Sequence, residues 1–121
     1  MPGSGGCSRL ARLVGVGNAK ELVLTGELIS ASKAKDIGLI NAVVSADQLI
    51  AKTNDIAGKI LKRGPLAVGL AKQIINAALN VDAATSRTLE RLGQSILLKT
   101  EDAEEGFKAF REKRPARFSG R

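Results

Sequence analysis

One stretch of this chain constrains its fold more than any other. Residues 39–45, "LINAVVS", form the only β-branched run bounded by chain breakers, and so the only segment whose pattern predicts a strand. A single strand cannot make a sheet. The rest of the sequence must therefore be helical, and its periodicity says so. After a glycine-rich turn, "PGSGG", Leu10, Leu13 and Val14 fall at helical spacing and Gly15 and Gly17 are expected to stop the helix. Ala19, Leu22 and Val23 then mark a second short helix with Gly26 past its end, and Ser30 and Gly38 bracket a third as N-cap and stop.

Beyond residue 46 the helices lengthen. From Asp47 onward, Leu49, Thr53, Ile56 and Ile60 make one stripe, widened by Ile50, Ala57 and Leu61. Gly64-Pro65 breaks the pattern, glycine suiting a C′ position and proline the first turn of the next helix. That helix, to about Asn80, carries Val68, Ala71, Ile75 and Leu79 on one side and Ala67, Leu70, Ile74 and Ala78 beside them. Asp82 is the expected cap of a helix presenting Leu89, Leu92 and Ile96, and Thr100 of a last one lined by Ala103, Phe107 and Phe110. Glu101 and Asp102 would face the positive end of that last helix dipole. Apolar faces this wide, with no obvious second layer, describe half of a fold or one subunit of an assembly.

Composition narrows the chemistry. The 121 residues contain no His, Trp or Tyr, which excludes histidine catalysis and histidine-containing metal sites and removes an aromatic platform for RNA bases. Cys7, the one cysteine, permits no intrachain disulfide and lacks a histidine base, so it reads as a structural thiol. Hydropathy averages close to zero, no apolar run reaches the length of a bilayer span, and no signal peptide precedes the first helix. A cytoplasmic location is the default expectation, although an organellar protein stripped of its targeting segment would look the same.

The formal charge of +7 points to an anionic partner. Much of it lies in "KAFREKRPARFSGR", where Lys108, Arg111, Lys113, Arg114, Arg117 and Arg121 face only Glu112; a solvated basic terminus and a partner-binding tail both fit. The "PGSGG" turn can cradle an anion on its backbone amides, but Gly6-Cys7-Ser8 supplies no P-loop lysine, and a tight turn opening a helix explains it equally. The carboxylates sit mostly at helix starts or beside lysines. Glu21 and Glu27 are the only candidates for acid–base work, and solvated side chains are the better reading of both.

In this order the segments resemble the enoyl-CoA hydratase/isomerase (crotonase) family over essentially the whole chain. "PGSGGCSRLARLVG" is similar to that family's Pro-Gly-x-Gly-Gly-Thr-x-Arg-Leu-x-Arg-x-x-Gly stretch, with Cys7 in place of the threonine. "AKELVLTGELISASKAKDIGLINAVV", "GPLAVGLAKQIIN" and "TEDAEEGFKAFREKRPARFSGR" follow at the family's spacings. The resemblance implies a mainly α chain: the helical C-terminal half of a crotonase-like (ClpP/crotonase) α/β fold with at most one short strand. Residues 1–45 would end the crotonase core, with the glycine-rich turn, short helices and one strand. Residues 46–121 would form a helical region for oligomerisation and coenzyme A contact. In this family the spiral core, the oxyanion hole and the two glutamates of hydration lie upstream of the Pro-Gly turn, so Met1 would open onto the second half of a longer protein.

The same resemblance implies three site residues. Gly3 would contribute a backbone N–H to the reacting water in a completed pocket. Phe110 would touch the pantetheine or acyl region of a coenzyme A, often one bound to a neighbouring subunit, and Lys113 would meet a phosphate. Plain core filling for Phe110 and a solvated lysine for Lys113 are the rival readings. A coenzyme A thioester would be substrate, with no cofactor or metal. The expected partners are an acyl-CoA and further copies of the chain in a trimer or hexamer, with no membrane and no RNA. The parent reaction would be hydration of trans-2-enoyl-CoA in fatty-acid oxidation. The alternative is a non-catalytic helical module that self-associates or docks onto full-length crotonases.

Overall fold

A computed structural model describes residues 2–121, and among them every regular element is helical. The chain divides after Leu49 into two compact units, Met1–Leu49 and Ile50–Arg121. No helix among the described residues is long and apolar enough to cross a membrane.

In the first unit, α1 (Gly6–Thr25) holds both expected short helices, joined across a kink at Gly15, whose φ of 78° and ψ of 161° only glycine adopts without strain. Gly17 lies within the helical run and stops nothing. Val14 and Ala19, one on each side of the kink, are buried. α2 (Ala31–Asp36) begins where Ser30 Oγ accepts the Lys33 N–H at 3.1 Å. It ends in a Schellman closure around left-handed Gly38, with the Leu39 and Gly38 amides donating to Ala34 and Lys35 carbonyls at 2.8 and 3.0 Å.

The expected strand does not form. Residues 39–45 are bends and irregular extended chain leading into a 3-10 turn at Ala46–Gln48. The physical reason is pairing: β-branched residues favour extended backbone, but a strand exists only against a partner, and none is present among the described residues. Part of the run is also claimed by the helix before it, since the Ile40 amide donates to Ala34 as well.

The second unit is built from α3 (Leu49–Leu61), α4 (Pro65–Ala78), α5 (Ala83–Leu97) and α6 (Glu101–Arg111). Gly64 departs from its expected C′ role. Its φ of −57° is not left-handed, and it serves as the residue before Pro65 at the start of α4. Asp82 and Thr100 cap as expected. Asp82 accepts the Ala84 and Thr85 amides at 2.9 Å and the Thr85 hydroxyl at 2.6 Å, and these bonds, the hydroxyl foremost, hold its carboxyl below the usual range. Thr100 accepts the Ala103 amide at 3.2 Å.

The principal helix–helix packing is α4 against α5. It depends on Gly93, which is buried: a Cβ there would stand 2.9 Å from Leu70 Cδ2 and 3.1 Å from Ile74 Cδ1. Elsewhere the apolar stripes stay bare. Ile50 and Leu61 of α3, Ile75 of α4, and Leu92 and Ile96 of α5 are all exposed, and the buried core of the described residues contains no large side chain beyond Val14. Helices that keep such faces uncovered are held by caps and local bonds, since the apolar area that stabilises a folded domain is still in water.

Candidate functional site

The site that the sequence points to is the end of α6 and the basic tail after it. α6 does not bury the residues its spacing suggests. Phe107 is 60% and Phe110 84% exposed, whereas Asp102 at 7% and Ala109 at 2% are buried. Phe110 thus fills no core among the described residues. The chain's own tail lies against the face of α6 that carries Asp102, Glu105 and Gly106.

The tail is folded back along α6, with Lys113, Arg117 and Arg121 still exposed. Two carboxylates hold it, and both were expected to be ordinary surface or capping groups. Asp102 accepts the Ser119 amide at 2.6 Å and the Gly120 amide at 3.0 Å, while its own N–H donates to the Arg121 carbonyl at 3.0 Å. Glu105 takes the Arg114 guanidinium in a two-pronged pair, at 2.6 and 2.9 Å, and accepts the Arg117 amide at 2.8 Å. Arg114 Nε also donates to Glu112 at 2.6 Å. The only sequence signal for this was two acids one helical turn apart, just before a tail rich in arginine.

These bonds set the charge. The Arg114 fork, followed by the Arg117 amide, lowers the Glu105 carboxyl from 4.5 to about 2, and the two glutamates raise the Arg114 guanidinium. A carboxyl depressed in the folded state stabilises above its unfolded value and loses that contribution as pH falls through its folded value. Thermal melts should therefore fall between pH 4.5 and about 2 more steeply in the native chain than in Glu105→Gln. Equal slopes would remove Glu105 from the account.

Lys113 sits where the helix turns into the tail, at a left-handed φ of 52°. Its amide and that of Arg114 close the helix end onto the Phe110 and Ala109 carbonyls at 3.2 and 3.0 Å. Lys113 forms no ion pair among the described residues, and it is exposed three positions from the exposed ring of Phe110. Phe110 and Lys113 thus occupy one helix end together. Gly3 belongs to the other unit. It lies exposed in a turn with Ser4 and Gly5 at positive φ, where its carbonyl accepts the Gly6 amide at 2.9 Å and a Cβ would meet nothing within 4 Å.

Behind α6 is an open apolar cleft of about 360 Å³, whose walls include Leu66, Ala67, Leu97, Leu98, Phe107 and Phe118. Among the described residues no three His, Cys, Asp or Glu side chains group as a metal would require.

The family model for enoyl-CoA hydratase/isomerase matches residues 1–121. A crotonyl-CoA hydratase of Syntrophomonas wolfei is 43% identical over 97% of this chain and 45% of its own length. A short-chain-enoyl-CoA hydratase of Clostridium acetobutylicum is 42% identical over 93% of this chain and 43% of its own. The crystal structure of an enoyl-CoA hydratase from Bacillus anthracis superposes with a TM-score of 0.96 at 45% identity, covering all of this chain and 47% of that one. The chain spans a little under half the length of these relatives. With the match running from its first residue to its last, the chain belongs to the enoyl-CoA hydratase/isomerase family.

Proposed function

We propose that this chain is the helical C-terminal half of a crotonase whose complete form hydrates a trans-2-enoyl-CoA, and that it is inactive by itself. The observation that carries this reading is a TM-score of 0.96 over the entire chain against 47% of a hydratase. The uncovered apolar faces of α3, α4 and α5 support it, because a complete domain would cover them.

Hydration across a thioester-conjugated double bond needs donors on the thioester oxygen and carboxylates that move the water proton. The two carboxylates gathered in the second unit, Asp102 and Glu105, are both occupied by donors of the tail. Glu21 and Glu27 are exposed. In a completed pocket Gly3 offers its backbone N–H to the reacting water. Phe110 lays its ring against the apolar arm of the coenzyme and Lys113 places its ammonium on a phosphate; an exposed ring beside an unpaired lysine suits a ligand that is apolar along one stretch and anionic along the next. We expect no loss of enoyl absorbance when the pure chain meets crotonyl-CoA, and turnover above a heat-killed control would overturn the proposal.

The bare faces also favour a second reading, a non-catalytic helical module that self-associates as a trimer or hexamer or docks onto full-length crotonases. The intact mass of the native product, captured from cells through this sequence, separates the two. A species of roughly twice this length, in keeping with the 47% coverage, supports the enzyme half; one of 12.7 kDa supports the module.

A further inference from the structure

We propose that Glu105 and Arg114 are positioning residues whose ion pair locks the turn after α6, so that Phe110 and Lys113 are presented together to a phosphate-bearing acyl thioester. The inference rests on the reading of Phe110 and Lys113 given above and adds what holds them in place.

Two helices of this chain end in the same closure, and the comparison is informative. α2 closes around Gly38 at φ 79°, a conformation glycine takes at no steric cost. α6 closes around Lys113 at φ 52°, with the same two backbone bonds, against the preference of any side chain bearing a Cβ. That conformation carries a steric cost in a residue with a Cβ, and a contact outside those two bonds would offset it. Pro115 keeps Arg114 from continuing the helix. The Arg114 guanidinium then reaches back nine residues to grip both oxygens of Glu105, at 2.6 and 2.9 Å, and adds bonds to Glu112 and the Pro115 carbonyl at 2.6 and 3.1 Å. The residue immediately after Lys113 is thereby fixed to the flank of the helix.

The fork also removes one charge from this helix end. Arg114 is neutralised by two glutamates, while Lys113 has no ionic partner among the described residues. The turn so braced presents the Phe110 ring and the Lys113 ammonium from the same helix end, with Lys108 and Arg111 exposed beside them in the last turn. Loosening it would move both relative to a ligand that must meet them at once, and misplacement of this kind lowers affinity without removing any contact residue.

The test uses the complete native protein that carries this sequence, with coenzyme A as probe and binding followed by the amide resonances of the folded molecules. Coenzyme A is expected to shift Phe110 and Lys113 in the native protein, and Lys113→Ala to abolish that shift. Glu105→Gln and Arg114→Lys, each keeping Phe110 and Lys113, should bind about fivefold more weakly, since neither substitute reproduces the two-pronged pair. Their Lys113 and Arg114 amides should be displaced before any ligand is added. A merely structural pair would lower stability and leave the affinity of the folded molecules intact. Binding that needs Lys113 yet is indifferent to Glu105→Gln and Arg114→Lys overturns this inference alone. No binding by the complete native protein overturns the reading of Phe110 and Lys113, and this inference with it.

Discussion

Replacing Asp102 with alanine is expected to release the last residues of the chain and to cost about 2–3 kcal/mol of stability. The side chain is buried, and it accepts two tail amides at 2.6 and 3.0 Å with a weaker approach from the Ser119 hydroxyl at 3.5 Å. Alanine would leave those amides without a charged acceptor and would also remove an acid from the first turn of α6, where the helix dipole favours one. Limited trypsin digestion reads the release at the Arg117–Phe118 bond, which borders the segment that Asp102 holds through Ser119 and Gly120. A variant cleaved no faster there than the native chain, with an unchanged melting temperature, would show that the tail is held by something other than Asp102.

A comparable loss, again about 2–3 kcal/mol, is expected for Gly93→Val, through overpacking of the α4–α5 contact. The first added carbon already stands 2.9 Å from Leu70 and 3.1 Å from Ile74, so those side chains must shift, and two branching methyls crowd them further. Alanine at the same position is a milder case, since gained helix propensity of about 1 kcal/mol offsets part of the crowding. Gly69 on α4 supplies the control: a Cβ there meets nothing within 4 Å, so Gly69→Ala should raise the melting temperature. If Gly93→Val melts like the native chain, the two helices are not held at this distance by the glycine.

The sequence carried the helices well because each one advertises itself locally. Ser30, Asp82 and Thr100 cap as their types predict, and the kink falls at Gly15. What it could not carry was anything settled by a segment far along the chain. "LINAVVS" has the residues of a strand, but pairing is a property of two segments. Phe107 and Phe110 have the spacing of a core, but both are exposed, and the tail lies against the face of α6 that carries Asp102, Glu105 and Gly106. The Asp102 and Glu105 clasps join residues 9 to 19 positions apart, and no periodicity reports a bond of that kind. The roles proposed for Phe110 and Lys113 rest on likeness to a family, since neither residue type in isolation distinguishes a ligand contact from ordinary surface.

The clasp has a further consequence for how the tail can drift in evolution. Glu105 and Asp102 take hold of it at positions 117, 119 and 120 through main-chain amides, and the Arg121 carbonyl returns the contact. Every amino acid but proline supplies such an amide. Beyond the Arg114 fork, substitutions at 117 and 119 can therefore accumulate without unfastening the tail, whereas Gly120, at φ 80° with Pro65 3.1 Å from where a Cβ would stand, is held to glycine, so variability at the first two beside a fixed 120 would be the mark of a segment held by its backbone.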